Sequence, residues 1–78
     1  MLNFEVSLDS IDKVKKFVTA ISHFETEFDL ICGRYVIDAK SIMGIFSLDL
    51  SRPINLVVHE GADMDAVKEA IAPFIVKE

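Results

Sequence analysis

The sequence predicts an α+β fold, an open-faced β-sandwich in which a four-stranded antiparallel sheet carries three helices on one face. Four segments alternate apolar with polar residues or are rich in β-branched and aromatic residues, as strands are. Two others space their apolar residues at three and four, as amphipathic helices do. With one short capped segment added, the order is strand, helix, strand, strand, short helix, strand, helix. A sheet with helices on one face buries the apolar side of every such element.

The first strand and the first helix occupy the N-terminal part of the chain. Leu2, Phe4 and Val6 alternate with polar residues, which predicts a strand with one buried face. Ser10 is a preferred N-cap residue type, and the pattern after it predicts a helix from about Ser10 to His23. The apolar stripe of that helix is Ile11, Val14, Phe17, Val18, Ile21 and Phe24.

A hairpin and a short helix are predicted next. The strand that contains Phe28, Leu30 and Cys32 is followed by Gly33-Arg34 and then by Tyr35 to Asp38. Glycine in the first of two central positions favours a type II′ turn.

The short helix begins after Ser41, a good N-cap residue, and runs from Ile42 to Phe46. Gly44 lies inside it, where glycine costs about 1 kcal/mol relative to alanine, so we expect a packing reason for this glycine.

The last strand and the last helix complete the pattern. Pro53 suits the first residue of a strand that runs through Ile54, Leu56 and Val58, and its high apolar content places it inside the sheet. The last helix starts at Asp63 or Asp65. Its apolar stripe is Met64, Val67, Ala70, Ile71 and Phe74. Pro73 predicts a kink or an early end, because proline lacks the N–H that the helix requires.

Length and charge limit the classes of function. The 78 residues predict a single domain, 1–78. The formal net charge of -5 disfavours nucleic acid and anionic membrane surfaces as partners. Apolar runs fall far short of the ~20 residues that a transmembrane helix needs.

Cysteine and histidine usage argues against metal and disulfide chemistry. Cys32 is the only cysteine, which favours a cytoplasmic protein, and we expect it to be a small buried apolar residue. His23 is interpreted as a cation at a helix C-terminus, and His59 stands beside Glu60 without the three or four ligands that zinc requires. The sequence therefore predicts no metal and no cofactor.

The segment Lys40 to Leu48, KSIMGIFSL, closely resembles the regulatory-serine helix of HPr, the histidine-containing phosphocarrier protein of the bacterial phosphotransferase system. Length and element order extend the resemblance over the whole chain. The resemblance implies an open-faced sandwich of four antiparallel strands and three helices, the architecture that the periodicity predicts. It also implies a carrier rather than an enzyme, with no separate catalytic domain.

The phosphoryl-accepting histidine of that family is missing. Counting back from Ser41 places the family's Gly-Ile-His-Ala-Arg-Pro motif so that its histidine falls on Ser10, its arginine on Asp12 and its proline on Lys13. An imidazole attacks phosphorus without a separate base, whereas a serine hydroxyl needs activation and forms a stable ester. A carboxylate at Asp12 also replaces a donor for the phosphoryl oxygens. We expect no phosphocarrier activity through Ser10.

The resemblance carries over the regulatory serine to Ser41, with a dedicated serine kinase and with proteins of the phosphotransferase system or regulatory proteins as partners. It also implies that Ile42, Met43 and Phe46 form a partner-binding surface around the serine. Two alternatives stay open. Ser41 as an N-cap alone explains its position, and the three apolar residues can equally belong to the core.

Three functional hypotheses follow. The first is a regulatory protein-interaction module that has lost phosphotransfer and is controlled at Ser41. The second is a phosphocarrier component that uses a non-standard acceptor, Ser10, His23 or His59. The third is a small oligomerisation unit that buries Met43 and Phe46. We favour the first.

Overall fold

A computed structural model describes residues 2–61 and 63–77, and it has the predicted α+β architecture. The elements are β1 (Leu2–Val6), α1 (Ile11–Ile21), β2 (Phe28–Cys32), β3 (Tyr35–Asp38), α2 (Ile42–Phe46), β4 (Ile54–Val58), α3 (Met64–Ile71) and β5 (Ile75–Lys77), with a 3₁₀ turn at Ala72–Phe74.

The strands form one antiparallel sheet in the order β3-β2-β4-β1-β5. β4 lies between β2 and β1, which confirms its predicted place inside the sheet. Leu56 of β4 is in register with Phe4 of β1 and with Leu30 of β2. All three side chains are buried, so this row lies on the side of the sheet that the helices cover.

The number of strands differs from the prediction, because the described residues form five strands rather than four. The fifth, β5, pairs with β1 next to Val6. As predicted, α3 ends before Pro73. The chain then makes a 3₁₀ turn and becomes extended at Ile75. A strand of three residues is too short to show alternation, so the periodicity could not predict it.

The core joins the first helix to the C-terminal segment. Val14, Phe17 and Ile21 of α1 are buried, as the predicted stripe requires. Ile11, predicted in the same stripe, is instead 63% exposed in the first turn of the helix. Phe17 meets Phe74 edge to face, with ring centroids 5.4 Å apart and the planes at 86°, an arrangement that aromatic pairs favour. This contact holds the middle of α1 beside the 3₁₀ turn that precedes β5.

The β2–β3 turn has the predicted form. Gly33 has φ +61°, and among the described residues no non-glycine residue has a positive φ. A positive φ at the first central residue alone is the pattern of a type II′ turn. The turn sets Cys32 opposite Tyr35. After β3, three residues lead to the start of α2.

Candidate interaction and phosphorylation sites

Ser41 caps the short helix α2, as predicted. Its Oγ accepts a hydrogen bond from the backbone N–H of Gly44 at 3.3 Å, and its carbonyl accepts from the N–H of Ile45 at 3.0 Å. The N–H of Ser41 donates to the carbonyl of Asp38 at 2.9 Å, which fixes the step from β3 into the helix. The side chain is exposed, so the hydroxyl that caps the helix is also within reach of another protein.

Gly44 has the packing reason that the sequence predicts. A Cβ at this position would lie 2.7 Å from Cγ2 of Ile37 and 3.2 Å from Oγ of Ser41. A carbon–carbon approach of 2.7 Å is far inside van der Waals contact. The absence of a side chain therefore lets α2 lie directly on β3, with Ser41 at its outer end.

The three residues of the expected partner-binding surface differ in exposure. Met43 is 77% exposed and Phe46 is 39% exposed. They are three positions apart and share one side of the helix. Ile42 is half-buried and packs against the core, and Ile45 is fully buried. The outward apolar surface of α2 therefore consists of Met43 and Phe46, while Ile42 lies between core and surface.

Lys40, next to Ser41, is engaged elsewhere. Its Nζ donates to the carbonyl of Phe24 and lies 5.6 Å from the centroid of the Phe28 ring. These contacts tie the segment before α2 to the loop between α1 and β2. The ammonium group of Lys40, the cationic side chain nearest to Ser41 in the sequence, is therefore already engaged.

Ser10 caps α1 in the same way. Its Oγ accepts from the N–H of Lys13 at 3.1 Å, and the side chain is exposed. It borders an open groove of about 580 Å³ whose lining also includes Pro73 and Phe74. The position that matches the family's histidine thus lies at a helix start on the surface, with its hydroxyl oxygen used as a capping acceptor.

Two carboxylates flank Ser10, and each pairs with a lysine one turn further along. Asp9 Oδ1 lies 3.0 Å from Nζ of Lys13, and Asp12 Oδ2 lies 3.0 Å from Nζ of Lys16. The hydrogen bond and the positive charge of Lys13 lower the pKa of Asp9 below its ordinary value of 3.8. The two lysines at this helix start are therefore directed toward carboxylates.

The two histidines lie away from the start of α1. His23 is exposed just beyond the other end of the helix, and the 11 residues of α1 make about 16 Å of helix. His59 follows β4, and its Nε2 lies 2.6 Å from Oδ2 of Asp29 on β2. Neither histidine can replace the missing imidazole at Ser10.

Sequence reasoning missed the His59–Asp29 pair, because the partners are 30 residues apart. If β2 and β4 were known to be neighbours, the pair could have been predicted, because both residues stand at alternate positions on the same face of adjacent strands.

In the described part of the chain, no three His, Cys, Asp or Glu side chains are arranged to hold a metal ion. Cys32 is half-buried rather than buried, at the edge of the core.

Across the residues that the structure describes, no helix is long and apolar enough to cross a membrane.

Comparisons with known proteins point to one family. The family model described as "PTS HPr component phosphorylation site" matches residues 12–77. The match begins two residues after Ser10. The fold is similar to the crystal structure of HPr-C-His from Thermoanaerobacter tengcongensis, with a TM-score of 0.77 and 22% sequence identity over 94% of this chain and 89% of that chain. This second likeness concerns the fold alone. No curated protein matches the sequence.

Proposed function

The chain belongs to the HPr family of the phosphotransferase system, and we propose that it is a member without phosphocarrier activity that acts by binding other proteins. In this proposal it is a regulatory interaction module rather than an enzyme, located in the cytoplasm. Its surface for partners centres on Ser41, Met43 and Phe46, with Ile42 supporting them from the core side.

The observation that carries the proposal is the chemistry around Ser10. Its Oγ accepts the Lys13 N–H, and no described imidazole lies near enough to serve as its base. A serine hydroxyl is a weak nucleophile until a base activates it, and the resulting ester does not pass the phosphoryl group on as a phosphoramidate does. Asp9 and Asp12 add negative charge beside the position where an incoming phosphoryl group would bind.

Exposure supports control at Ser41. The hydroxyl is on the surface, next to the strongly exposed Met43. A phosphate on Oγ would add about two negative charges beside an apolar surface, which changes what that surface can bind. The negative charge would stand at a helix N-terminus, where the backbone N–H groups favour it, so we expect the fold to tolerate the modification.

Incubation with a serine kinase of the family's type and ATP, followed by peptide mass spectrometry, tests this part. We expect one phosphoryl group on the peptide that contains Ser41, absent in Ser41→Ala and retained in Ser47→Ala. Ser47 is the matched control because it is exposed at the opposite end of the same helix. An unmodified Ser41 peptide would remove the regulatory half of the proposal.

Binding of partners is tested with captures from a native lysate of the source cells. We expect Phe46→Ala to lose a specific partner that the wild type retains, and Ser41→Asp to change its recovery. Equal recovery by all three proteins would contradict an interaction surface on α2.

A phosphocarrier with a non-standard acceptor is the second candidate, and the His59–Asp29 pair is the observation in its favour. When the imidazole is neutral and donates Nε2–H to Asp29, Nδ1 keeps its lone pair and can act as a nucleophile. Against this, the three carboxylates Glu27, Asp29 and Asp38 line a pocket together with one ammonium group, that of Lys40. This excess of negative charge disfavours the approach of a phosphorylated donor. His59→Gln, His23→Gln and Ser10→Ala would identify the acceptor if phosphate were gained.

A further inference from the structure

The edge strand β3 is open along its outer side. It is the first strand of the sheet order, and within the described residues no other strand pairs with that side. Tyr35 is 69% exposed and Val36 is 63% exposed. Natural edge strands are commonly blocked by charged side chains, above all lysine, by proline, by a bulge or by being very short. β3 is short, with four residues and one charge at its end, Asp38, but it contains no lysine, proline or bulge.

The opposite edge of the sheet differs. β5 has three residues, follows closely after Pro73, and pairs with β1 through an irregular register between Glu5 and Val6. Such features discourage strand addition. The contrast singles out β3 as the edge that can accept another strand.

The backbone of β3 presents hydrogen-bonding groups outward at Val36. A two-residue turn makes Cys32 and Tyr35 the hydrogen-bonded pair that closes the hairpin, and the pairs then alternate along an antiparallel ladder. Val36 opposite Ile31 is therefore a non-hydrogen-bonded pair. Its N–H and C=O point away from β2, toward the open side.

The residues of this edge are complementary to themselves. If two copies of β3 pair antiparallel around a two-fold axis at Val36, Val36 faces Val36 and Tyr35 faces Ile37. Arg34, in the turn just before β3, then comes next to Asp38 of the other copy on both sides. Directly opposed residues share a face of the sheet and interact, and opposite charges there are favourable. In the described part of the chain, neither Arg34 nor Asp38 forms an ion pair.

Asp38 has a reason to receive a cation. It lies directly opposite Asp29 on β2, and like charges directly opposite each other are destabilising. Asp29 is paired with His59 at 2.6 Å. The carboxylate of Asp38 accepts only the backbone N–H of Lys40, at 2.9 Å through Oδ1, which leaves Oδ2 available for an arginine.

We propose that the edge of β3 binds a second copy of this chain, so that the two sheets join into one continuous antiparallel sheet through a two-fold axis at Val36. The interface consists of reciprocal hydrogen bonds between the two Val36 backbones and two Arg34–Asp38 pairs. Both helical layers then lie on the same side of the joined sheet, and each α2 remains at the surface beside the junction.

Sedimentation equilibrium between about 10 µM and about 1 mM protein tests the proposal, because this range covers weak association. We expect a reversible monomer–dimer equilibrium. Arg34→Glu should raise the dissociation constant by about tenfold, since both opposite-charge pairs become like-charge pairs. Arg34→Glu with Asp38→Lys should restore association. Lys68→Glu makes the same change in net charge at an exposed site on α3, which packs against α1 and the 3₁₀ turn at the other side of the sheet, and it should leave the constant unchanged.

Backbone measurements identify the interface independently of charge. Val36→Pro removes an outward N–H and keeps the ladder with β2, so we expect it to abolish the dimer while the circular dichroism spectrum is unchanged. The Val36 amide should exchange with deuterium more slowly as protein concentration rises. The Ile37 amide, which belongs to the internal ladder, should be protected at every concentration.

Several results would overturn the proposal. A protein that stays monomeric at about 1 mM has no such interface. A dimer that Arg34→Glu and Val36→Pro leave intact would also contradict the proposal. A dimer that dissociates on Met43→Ala or Phe46→Ala instead would contradict it as well. The last result would favour an interface on α2.

Discussion

Ser10 and Ser41 occupy equivalent places at the starts of two helices, and each accepts a backbone N–H three residues ahead. What surrounds each hydroxyl differs. Ser10 stands between two carboxylates that pair with lysines, whereas Ser41 stands beside an exposed methionine and a glycine that touches β3. The same residue type at the same kind of position therefore supports different chemistry. Both serines cap a helix, and we propose a regulatory role in addition for Ser41 alone.

The ion pair of Asp9 with Lys13 should be visible in titration. Lys13 lowers the pKa of Asp9 below 3.8 by its hydrogen bond and its charge, so Lys13→Met should raise that pKa toward 3.8. NMR titration of the carboxyl carbon measures it, with Lys15→Met as the control on the same helix. A depressed pKa in the folded state stabilises the fold above the unfolded value, and that contribution is lost as the pH falls through the folded pKa. An unchanged pKa in Lys13→Met would contradict the assigned cause.

Gly44→Ala should destabilise the protein although alanine favours helix. The added Cβ would meet Cγ2 of Ile37 at 2.7 Å, and overpacking costs about 1–3 kcal/mol against a gain of about 1 kcal/mol in helix propensity. Urea unfolding measures the difference. In an Ile37→Ala background most of the cost should disappear, because the opposing methyl is gone and only the approach to Ser41 Oγ at 3.2 Å remains. A more stable Gly44→Ala protein would show that α2 can move away from β3.

At the scale of elements, the sequence predicts best where a pattern is long or a local signal is strong. Such signals are the cap at Ser41, the glycine turn at Gly33 and the stripe of α1. The structure confirms them except at Ile11, the first residue of the stripe, which is exposed. β5 was missed because its three residues form a strand by pairing with the edge of β1 and carry no alternating pattern of their own. The His59–Asp29 contact was missed because strand order, which periodicity does not encode, brings the two residues together.

The candidate site was only partly predictable for the same reason. Its position on α2 follows from the Lys40 to Leu48 segment, and so does the capping role of Ser41. The separation of Ile42 from Met43 and Phe46 depends on how a helix of five residues packs on the sheet. Spacing within so short a helix does not determine which side faces the core.

The cap of α2 can be separated from the regulatory role of the same residue. Ser41→Ala removes the acceptor for the Gly44 N–H and should cost about 0.5–2 kcal/mol in the free energy of unfolding. Ser41→Asp keeps an equally good cap and should lie within about 0.5 kcal/mol of the wild type. Chemical denaturation of the three proteins measures this, with Ser47→Ala as the control at the other end of the helix. Strong destabilisation by aspartate would mean that a negative charge disrupts α2 itself.

At the scale of the whole molecule, the net charge of -5 and the family membership act together. The charge disfavours polyanionic partners, and the HPr family works through contacts between proteins. Surfaces that suit such contacts lie close together on one side of this fold, because α2 packs on β3 and the edge of β3 is open. In the proposed function, the change at Ser10 leaves the exposed residues of α2 and the edge of β3 in place.

We propose above all that this HPr-family chain neither accepts a phosphoryl group from the first enzyme of the phosphotransferase system nor passes one on. The chain is incubated with phosphoenolpyruvate and the first enzyme of the phosphotransferase system, beside a histidine-bearing family member as the positive control, and the intact mass is measured before and after acid treatment. We predict that the control gains one acid-labile phosphoryl group and that this chain gains none. An acid-labile gain on this chain, abolished by His59→Gln or His23→Gln, would contradict the account and establish a phosphocarrier with a displaced acceptor.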